Sequence, residues 1–373
     1  MSEHVDALVI GAGVVGLAVA SVLARRGREV FVIERHSASG QETSSRNSGV
    51  IHSGIYYPTD SAKARLCIAG KDQLYRYCNE RGIKHKRCGK LIVAQEMQLE
   101  QLQQLHKKAS ANGVNDLELL SRDEVTQREP AVRCAAALFS PSTGIIDIHD
   151  YMNCLEADIQ AHHGLLITNT RFVSATVTDN GFNVVLNTDN DNTDLSCRQL
   201  VNCAGLNALE TLKKIHGYPV MRNRDAFFAK GNYFSCQGTK PFKHLVYPMP
   251  NEAGLGVHAT LDMDGTTRFG PDVEWVKQID YSVTEARAEQ FYSAIREYWP
   301  SLPDGSLHAA YSGIRPKLVG PGQPAADFEI EGTEVHGVPG LINLLGIESP
   351  GLTASLAIAE LVSKLLCVTP NSH

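Results

Sequence analysis

ALVIGAGVVGLAVASVLA, residues 7–24, is the stretch whose reading decides the fold. The apolar run Val5 to Ile10 reads as a strand buried on both faces of a parallel sheet. Gly11-Ala12-Gly13-Val14-Val15-Gly16 follows, then a helical pattern to Gly27. A second apolar run, Glu29 to Ile33, ends in Glu34. The order is strand, glycine turn, helix, strand, acid, and each part suits a dinucleotide. Gly11 permits the tight turn, Gly13 lets backbone N–H groups approach a pyrophosphate, and Gly16 allows close helix-to-strand packing. The helix N-terminus adds partial positive charge. Glu34, 18 residues beyond Gly16, is placed to accept hydrogen bonds from a ribose 2′-hydroxyl, and an acid there disfavours a 2′-phosphate. G-x-G-x-x-G alone is a weak signal; the flanking strands and the acid make it specific.

The same stretch is apolar enough to raise the question of a signal peptide or membrane anchor. Glu3 and Asp6 before it, Arg25 and Arg26 after it, and the glycines inside it oppose both. No other stretch is long enough to span a bilayer. A chain of 373 residues, 43% hydrophobic and 20% charged, suits a globular protein of two interleaved lobes. The formal net charge of −6 and the lack of any lysine/arginine run speak against a nucleic-acid partner and for a small molecule. Nine cysteines are scattered without C-x-x-C pairs or zinc-like spacing, which suggests free thiols in a reducing compartment. The expectation is a cytoplasmic protein with no membrane span and no metal; contact with the inner face of a membrane stays open.

Further along, Leu99 to Ala111 and Ser121 to Glu129 read as helices, the second stopped by Pro130. Asp150 to His163 reads as another, with His162 and His163 at its end lacking partners at ligand spacing. The alternation from Leu165 to Thr188 breaks at Asp179-Asn180-Gly181, a hairpin signal. Leu200 to Cys203 is a short apolar strand meeting Ala204-Gly205, and Glu285 to Trp299 is a helix ending before Pro300. The tail repeats the opening pattern: strand Leu341 to Leu345, turn Gly346 to Gly351, helix Leu352 to Leu366. Strand-glycine-helix units at both ends suggest one domain built from both, with a second lobe inserted.

VIGAGVVGLA with Glu34, SSRNSGVIHSGIYY (residues 44–57), LVNCAG, YSGIRPK and GIESPGLTASLAIAEL together resemble the glutathione-reductase-like FAD oxidoreductases of the D-amino-acid oxidase superfamily. Within it, NSGVIHSGIYY, GKLIVA, LGVHATLDMDGTTRFGP and GIRPKLVGPG resemble the L-2-hydroxyglutarate dehydrogenase/oxidase group. The resemblance implies an α/β fold with an α+β second lobe. A discontinuous FAD-binding Rossmann domain would comprise residues 1–85, 145–215 and 310–373. A substrate domain on a mixed or antiparallel sheet would comprise 86–144 and 216–309. It also implies a cofactor envelope. Gly11, Gly13, Val14, Val15, Gly16, Glu34 and Arg35 come from the opening motif, and Ser44, Ser45, Asn47, Ser48, Gly49 and Val50 from a segment running towards the flavin. Val173 would offer its backbone to the adenine, and Ala204 and Gly205 would pass the pyrophosphate. Gly313, Gly346, Glu348, Gly351, Leu352 and Thr353 would complete it. A helix starting near Gly351 can stabilise the negative N1/C2 edge of a reduced flavin, or be an ordinary capped helix.

Arg315 can grip a substrate carboxylate bidentately and is the first candidate for substrate binding. Oxidising a 2-hydroxy acid requires hydride transfer to flavin N5 and removal of the hydroxyl proton. A neutral imidazole suits the second step, so His52 and His258 are the catalytic candidates. Some relatives attach the flavin 8α-methyl covalently to a histidine in a comparable place, so base, tether and packing stay open for His52; acid denaturation that releases all the yellow colour excludes the tether. Tyr57 and Lys230 are added as substrate-binding candidates, with Tyr56, Lys90 and Tyr247 as further pocket residues. The expected activity is FAD-dependent oxidation of a small 2-hydroxy acid, with reoxidation by quinone, another acceptor or O2. An amino-acid or N-methyl amino-acid oxidase and a non-catalytic flavin-binding protein are the alternatives. A plain nicotinamide Rossmann enzyme explains neither the C-terminal helix motif nor the segment from Ser44 to Tyr57.

Overall fold

The computed structural model describes residues 3–219, 225–236, 240–250 and 256–367. Chain contacts divide the protein into one unit of Met1–Ser45, Ile148–Phe228 and Arg315–His373 and another of Arg46–Asp147 and Ala229–Ile314.

In the first unit, nine strands among the described residues form one sheet. Its middle is parallel. Glu3–Ile10 lies between Val30–Ile33 and Asp191–Asn202, with Leu165–Ile167 beyond the former and Leu341–Leu345 beyond the latter. These strands read as unbroken apolar runs because both faces are covered: Val5, Ala7, Leu8 and Val9 are all 0% exposed. The helix Val14–Arg25 packs against Ile148–Ala161 and Gly351–Cys367. Buried polar atoms in these helices are paired, as in the 2.8 Å contact between Tyr151 Oη and Ser355 Oγ. The apolar stretch 7–24 is thus a strand end, a turn and a 12-residue helix. No helix among the described residues is long and apolar enough to cross a membrane.

The hairpin at Asp179-Asn180-Gly181 is present, with Thr178 opposite Gly181. A second turn, unread in the sequence, follows at once. Asp189 and Asn190, at φ 52° and 73°, reverse the chain into Asp191–Asn202. The short strand expected from Leu200 to Cys203 is therefore the end of a 12-residue strand, whose first half is polar because it is exposed. That strand changes partner along one edge: Asp191 to Cys197 pair with the hairpin, and Leu200 to Asn202 with Leu341 to Asn343.

The second unit holds a mixed sheet. Its strand order among the described residues is Glu274–Val276, Phe227–Cys236, Thr267–Phe269, Ala259–Leu261, Leu245–Pro248, Lys90–Ala94, Ala136–Ser140, Glu118–Ser121, with Leu307–Lys317 on Phe227–Cys236. Leu245–Pro248 and Lys90–Ala94 run parallel, and the pairs on either side of them are antiparallel. Phe234, Phe242, Phe269, Phe291 and Trp299 fill the core, Phe269 and Trp299 stacking at 5.9 Å. A small sheet of Val50–Ile51, Gly144–Ile146 and His85–Lys86 draws the chain around residues 46–85 into this unit. The helix Ala62–Arg81 does the same by burying Cys67, Leu74, Tyr75 and Cys78. The contact boundary thus falls at 45/46, whereas the sequence reading keeps 1–85 together.

Helix Leu99–Ala111 has the expected bounds, and Ser121 caps Arg122–Arg128 in a reciprocal box with Glu124. Ile148–Ala161 stops before His162 and His163, and His162 Nδ1 lies 2.8 Å from the Asp158 carbonyl. The expected helix from Glu285 to Trp299 is a 3₁₀ turn, Glu285–Arg287, followed by Ala288–Arg296.

Candidate active site

In the first unit the elements of a dinucleotide site converge on the turn after Glu3–Ile10. Gly11 has φ +98°, and a Cβ on it would stand 2.7 Å from the Cys203 carbonyl oxygen; one on Gly16 would stand 2.0 Å from the Gly11 oxygen. Helix Val14–Arg25 starts at Gly13 with no side-chain cap from that residue; Ser44 Oγ accepts from Val14 N at 2.9 Å instead. Glu34 is buried at the end of Val30–Ile33, its two carboxylate oxygens accepting from Ala12 N and His36 N at 3.0 Å each. Arg35 pairs with Glu42, and Asn207, with its amide oriented to suit, accepts from the same guanidinium at 3.0 Å. Ser45 Oγ donates to the Glu42 carbonyl, so it serves the loop itself.

Val173 sits in a bulge between Phe172 and Ser174, outside the register with Gly181–Thr188, and its side chain is 37% exposed. Its backbone is thereby released from the ladder, as contact with a base edge requires. Asn202, fully buried, donates to the Ala208 carbonyl and to Asn343 Oδ1 and accepts from Ala204 N, so it ties Ala204-Gly205 to two strand ends. The sequence reading missed Asn202, although a lone amide inside LVNCAG was the signal available. At the C-terminal motif, Gly346 takes φ +66°, Glu348 pairs with Lys317 at 2.8 Å, and Gly351 and Thr353 are buried in the first turn of Gly351–Cys367.

In the second unit the segment from Asn47 on is held by its backbone. Asn47 Oδ1 accepts from Gly49 N, its carbonyl accepts from Tyr311 Oη at 2.9 Å, and the Gly49 carbonyl accepts from Ile146 N. A Cβ on Gly313 would stand 2.0 Å from the Arg46 carbonyl oxygen, so that strand position admits only glycine. Ser48 is half-buried beside it and Val50 is buried in a strand.

Directly after that strand a polar cluster forms. The Cys67 thiol donates to the His52 carbonyl at 3.6 Å. His258, 7% exposed, lies flat on Tyr247, with ring centroids 3.6 Å apart and planes at 9°. Lys90, 1% exposed, holds Nζ at 4.8 Å from the Tyr56 ring centroid and 5.0 Å from that of Tyr247. Burial, then the Lys90 charge and His258, hold the half-buried His52 down to about 3. Burial lowers Lys90 to about 7 against a small opposing effect of Cys67, whose own thiol burial pushes up to about 12. Burial also pushes the Tyr56 and Tyr247 hydroxyls up. The main influences on His52 are burial, the Lys90 charge and His258, and those on Lys90 are burial and Cys67. At neutral pH the cluster therefore presents a neutral imidazole beside a cation of adjustable charge.

His52, His258, Tyr56, Tyr247 and Lys90 are thus brought together. Tyr57 follows in the same loop, its carbonyl accepting from Asn112 Nδ2. Lys230 is buried with Nζ 3.7 Å from Asp280 Oδ2, so its charge is met within the protein. Arg315 belongs to the first unit, half-buried on Leu307–Lys317, and its guanidinium has no hydrogen-bond or ion-pair partner among the described residues. Sequence reasoning did not single out Cys67 as part of the cluster, nor the stacked pair Tyr233 and Tyr311, 4.5 Å apart. Nothing in their local sequence marks them.

The profile of the family described as FAD dependent oxidoreductase matches residues 6–365. The chain belongs to that family. The L-2-hydroxyglutarate dehydrogenase of Arabidopsis thaliana mitochondria is 44% identical, over 96% of this chain and 82% of that protein. The enzyme of the same name from Escherichia coli K12 is 28% identical, over 96% and 93%. Among solved structures, an L-α-glycerophosphate oxidase from Mycoplasma pneumoniae with FAD bound superposes with TM-score 0.87 at 27% identity, covering 98% of this chain and 96% of that one. The mixed α/β architecture inferred from the motifs is the family's fold.

The first unit fits FAD on its own evidence: a glycine turn whose tight packing brings the strand end directly onto the start of Val14–Arg25, an acceptor-only carboxylate at the end of the second strand, and a backbone bulge at Val173. Gly16→Ala is expected to destabilise the protein by about 3 kcal/mol and to release flavin, since its Cβ would meet backbone that cannot yield cheaply. The absorbance of bound flavin and a thermal melt check both.

Proposed function

We propose that the protein oxidises L-2-hydroxyglutarate to 2-oxoglutarate. The observation that carries this reading is the neutral imidazole of His52 gathered in one cluster with His258, Lys90, Tyr56 and Tyr247. Such a site accepts a proton from a hydroxyl and tolerates, indeed requires, an anionic substrate. The names carried by the plant and bacterial relatives support the choice of hydroxy acid. Bound FAD supplies the acceptor for the hydride that leaves C2. In this reading Arg315 holds the C1 carboxylate, and His52 takes the hydroxyl proton while the C–O bond becomes a carbonyl. His258, fixed on Tyr247, orients the hydroxyl. Gly11, Gly13, Gly16 and the start of Val14–Arg25 hold the pyrophosphate, Glu34 the ribose, and Val173 the adenine. The electrons then pass to a quinone, another carrier or O2. Residence in the cytoplasm, with contact to the inner face of a membrane, belongs to the same proposal and agrees with nine free cysteines.

Anaerobic mixing of the yellow protein with L- and D-2-hydroxyglutarate, lactate, malate, glycerol 3-phosphate, sarcosine and glutamate tests the reading. Rapid bleaching by L-2-hydroxyglutarate above all others is the expected result. Bleaching by amines alone, or by glycerol 3-phosphate in preference, overturns it.

A further inference from the structure

We propose that Lys90 receives the second carboxylate of a dicarboxylic 2-hydroxy acid and so selects dicarboxylates over monocarboxylates. The inference rests on the reading of the protein as a 2-hydroxy acid oxidoreductase. It starts from a lysine in the wrong place. Lys90–Ala94 is an interior strand of the mixed sheet, every one of its residues buried, and Lys90 opens it at 1% exposure. An ammonium kept out of water is destabilising unless an anion or a set of hydrogen bonds meets it.

Three other cations of this unit are met by acids. Lys230 has Asp280, Arg268 has Asp262 at 2.7 Å, and Arg287 has Asp272. Among the described residues Lys90 has only the faces of Tyr56 and Tyr247, which attract a cation weakly and leave its charge uncancelled. His52, whose charge state Lys90 influences, is only half-buried.

Recognition would also tune the chemistry. Burial is the main cause that holds the His52 imidazole down, and the Lys90 charge adds to it; a carboxylate settling on Lys90 cancels that second part, so the base strengthens when the correct substrate arrives. A monocarboxylate leaves that charge in place.

Glutarate and butyrate test this without turnover, because neither has a hydroxyl to oxidise. Calorimetric titration of the holoenzyme is expected to show glutarate bound about 100-fold more tightly than butyrate, as for a desolvated charged bond. Lys90→Met should bring that ratio close to one, and Lys90→Arg should keep a reduced preference. Since Lys90 must carry its proton, glutarate affinity should fall above about pH 7 in the wild type and be flat in Lys90→Met. Among the described residues the titratable groups set against Lys90 are His52, Cys67, Tyr56 and Tyr247, with His258 stacked on Tyr247, all retained in the variant. If Lys90→Met does not fold, the wild-type profile and Lys90→Gln decide. A glutarate preference that survives loss of the charge, or one that does not change between pH 6 and pH 9, overturns the proposal. A protein that bleached only with amines would sink the hydroxy acid reading, while the glutarate-to-butyrate ratio would still report on Lys90.

Discussion

Replacing His52 by asparagine is expected to lower kcat by about 10³-fold, within the range that a positioned base contributes. Asparagine keeps the size and a hydrogen-bond acceptor but cannot take the proton, so the loss should fall on kcat more than on KM. The pH profile gives a second reading of the same residue. With His52 held near 3, kcat/KM should show no acid limb from this group until well below pH 5. The protein's stability should nevertheless decline on acidification. An unfolded histidine takes up a proton near its ordinary value of 6.5 and the folded one only near 3, so stability is lost as pH falls through that window. His52→Asn should lose less stability over that range, by a few kcal/mol, in urea titrations at pH 7 and pH 4. A kcat within tenfold of wild type would remove His52 as the base and favour amine chemistry, which needs none.

Replacing Arg315 by alanine is expected to raise the apparent KM by a few hundredfold, on the order of 3 kcal/mol for a charged hydrogen-bonded pair. The prediction follows from what the strand Leu307–Lys317 presents: a half-buried guanidinium for which the described residues offer no partner. A planar fork of donors without a carboxylate is suited to receive one bidentately. Arg315→Lys should recover part of the affinity but not the two-point geometry. Steady-state kinetics on both variants check this, and an unchanged KM for Arg315→Ala would take the residue out of the site.

How far the sequence carried these expectations depended on the range of the interactions involved. The opening strand, turn, helix and acid were legible because each leaves a local mark in the chain: Gly11 by its positive φ, Gly16 by contact with Gly11, and Glu34 by its place at the end of its own strand. The hairpin at Asp179-Asn180 was legible for the same reason. The strand Asp191–Asn202 was not, because its first half faces solvent and carries no apolar signal, and only pairing on both edges defines it. The placing of residues 46–85 was also hidden, since it rests on the pairing of Val50–Ile51 with Gly144–Ile146, nearly a hundred residues away in the chain.

The candidate site divides in the same manner. The sequence by itself determined that a dinucleotide is bound, that FAD is the fitting one through the family motifs, and that His52, His258 and Arg315 were worth naming. Only the tertiary structure showed that the two lysines have different partners. Lys230 and Lys90 look alike along the chain, each among apolar residues on a strand, yet Lys230 meets Asp280 and Lys90 meets two tyrosine rings. The physical reason is that a lysine's charge state and role are set by what desolvates it and what pairs with it. Those partners come from four separate segments, around residues 52–56, 67, 247 and 258, which only folding assembles.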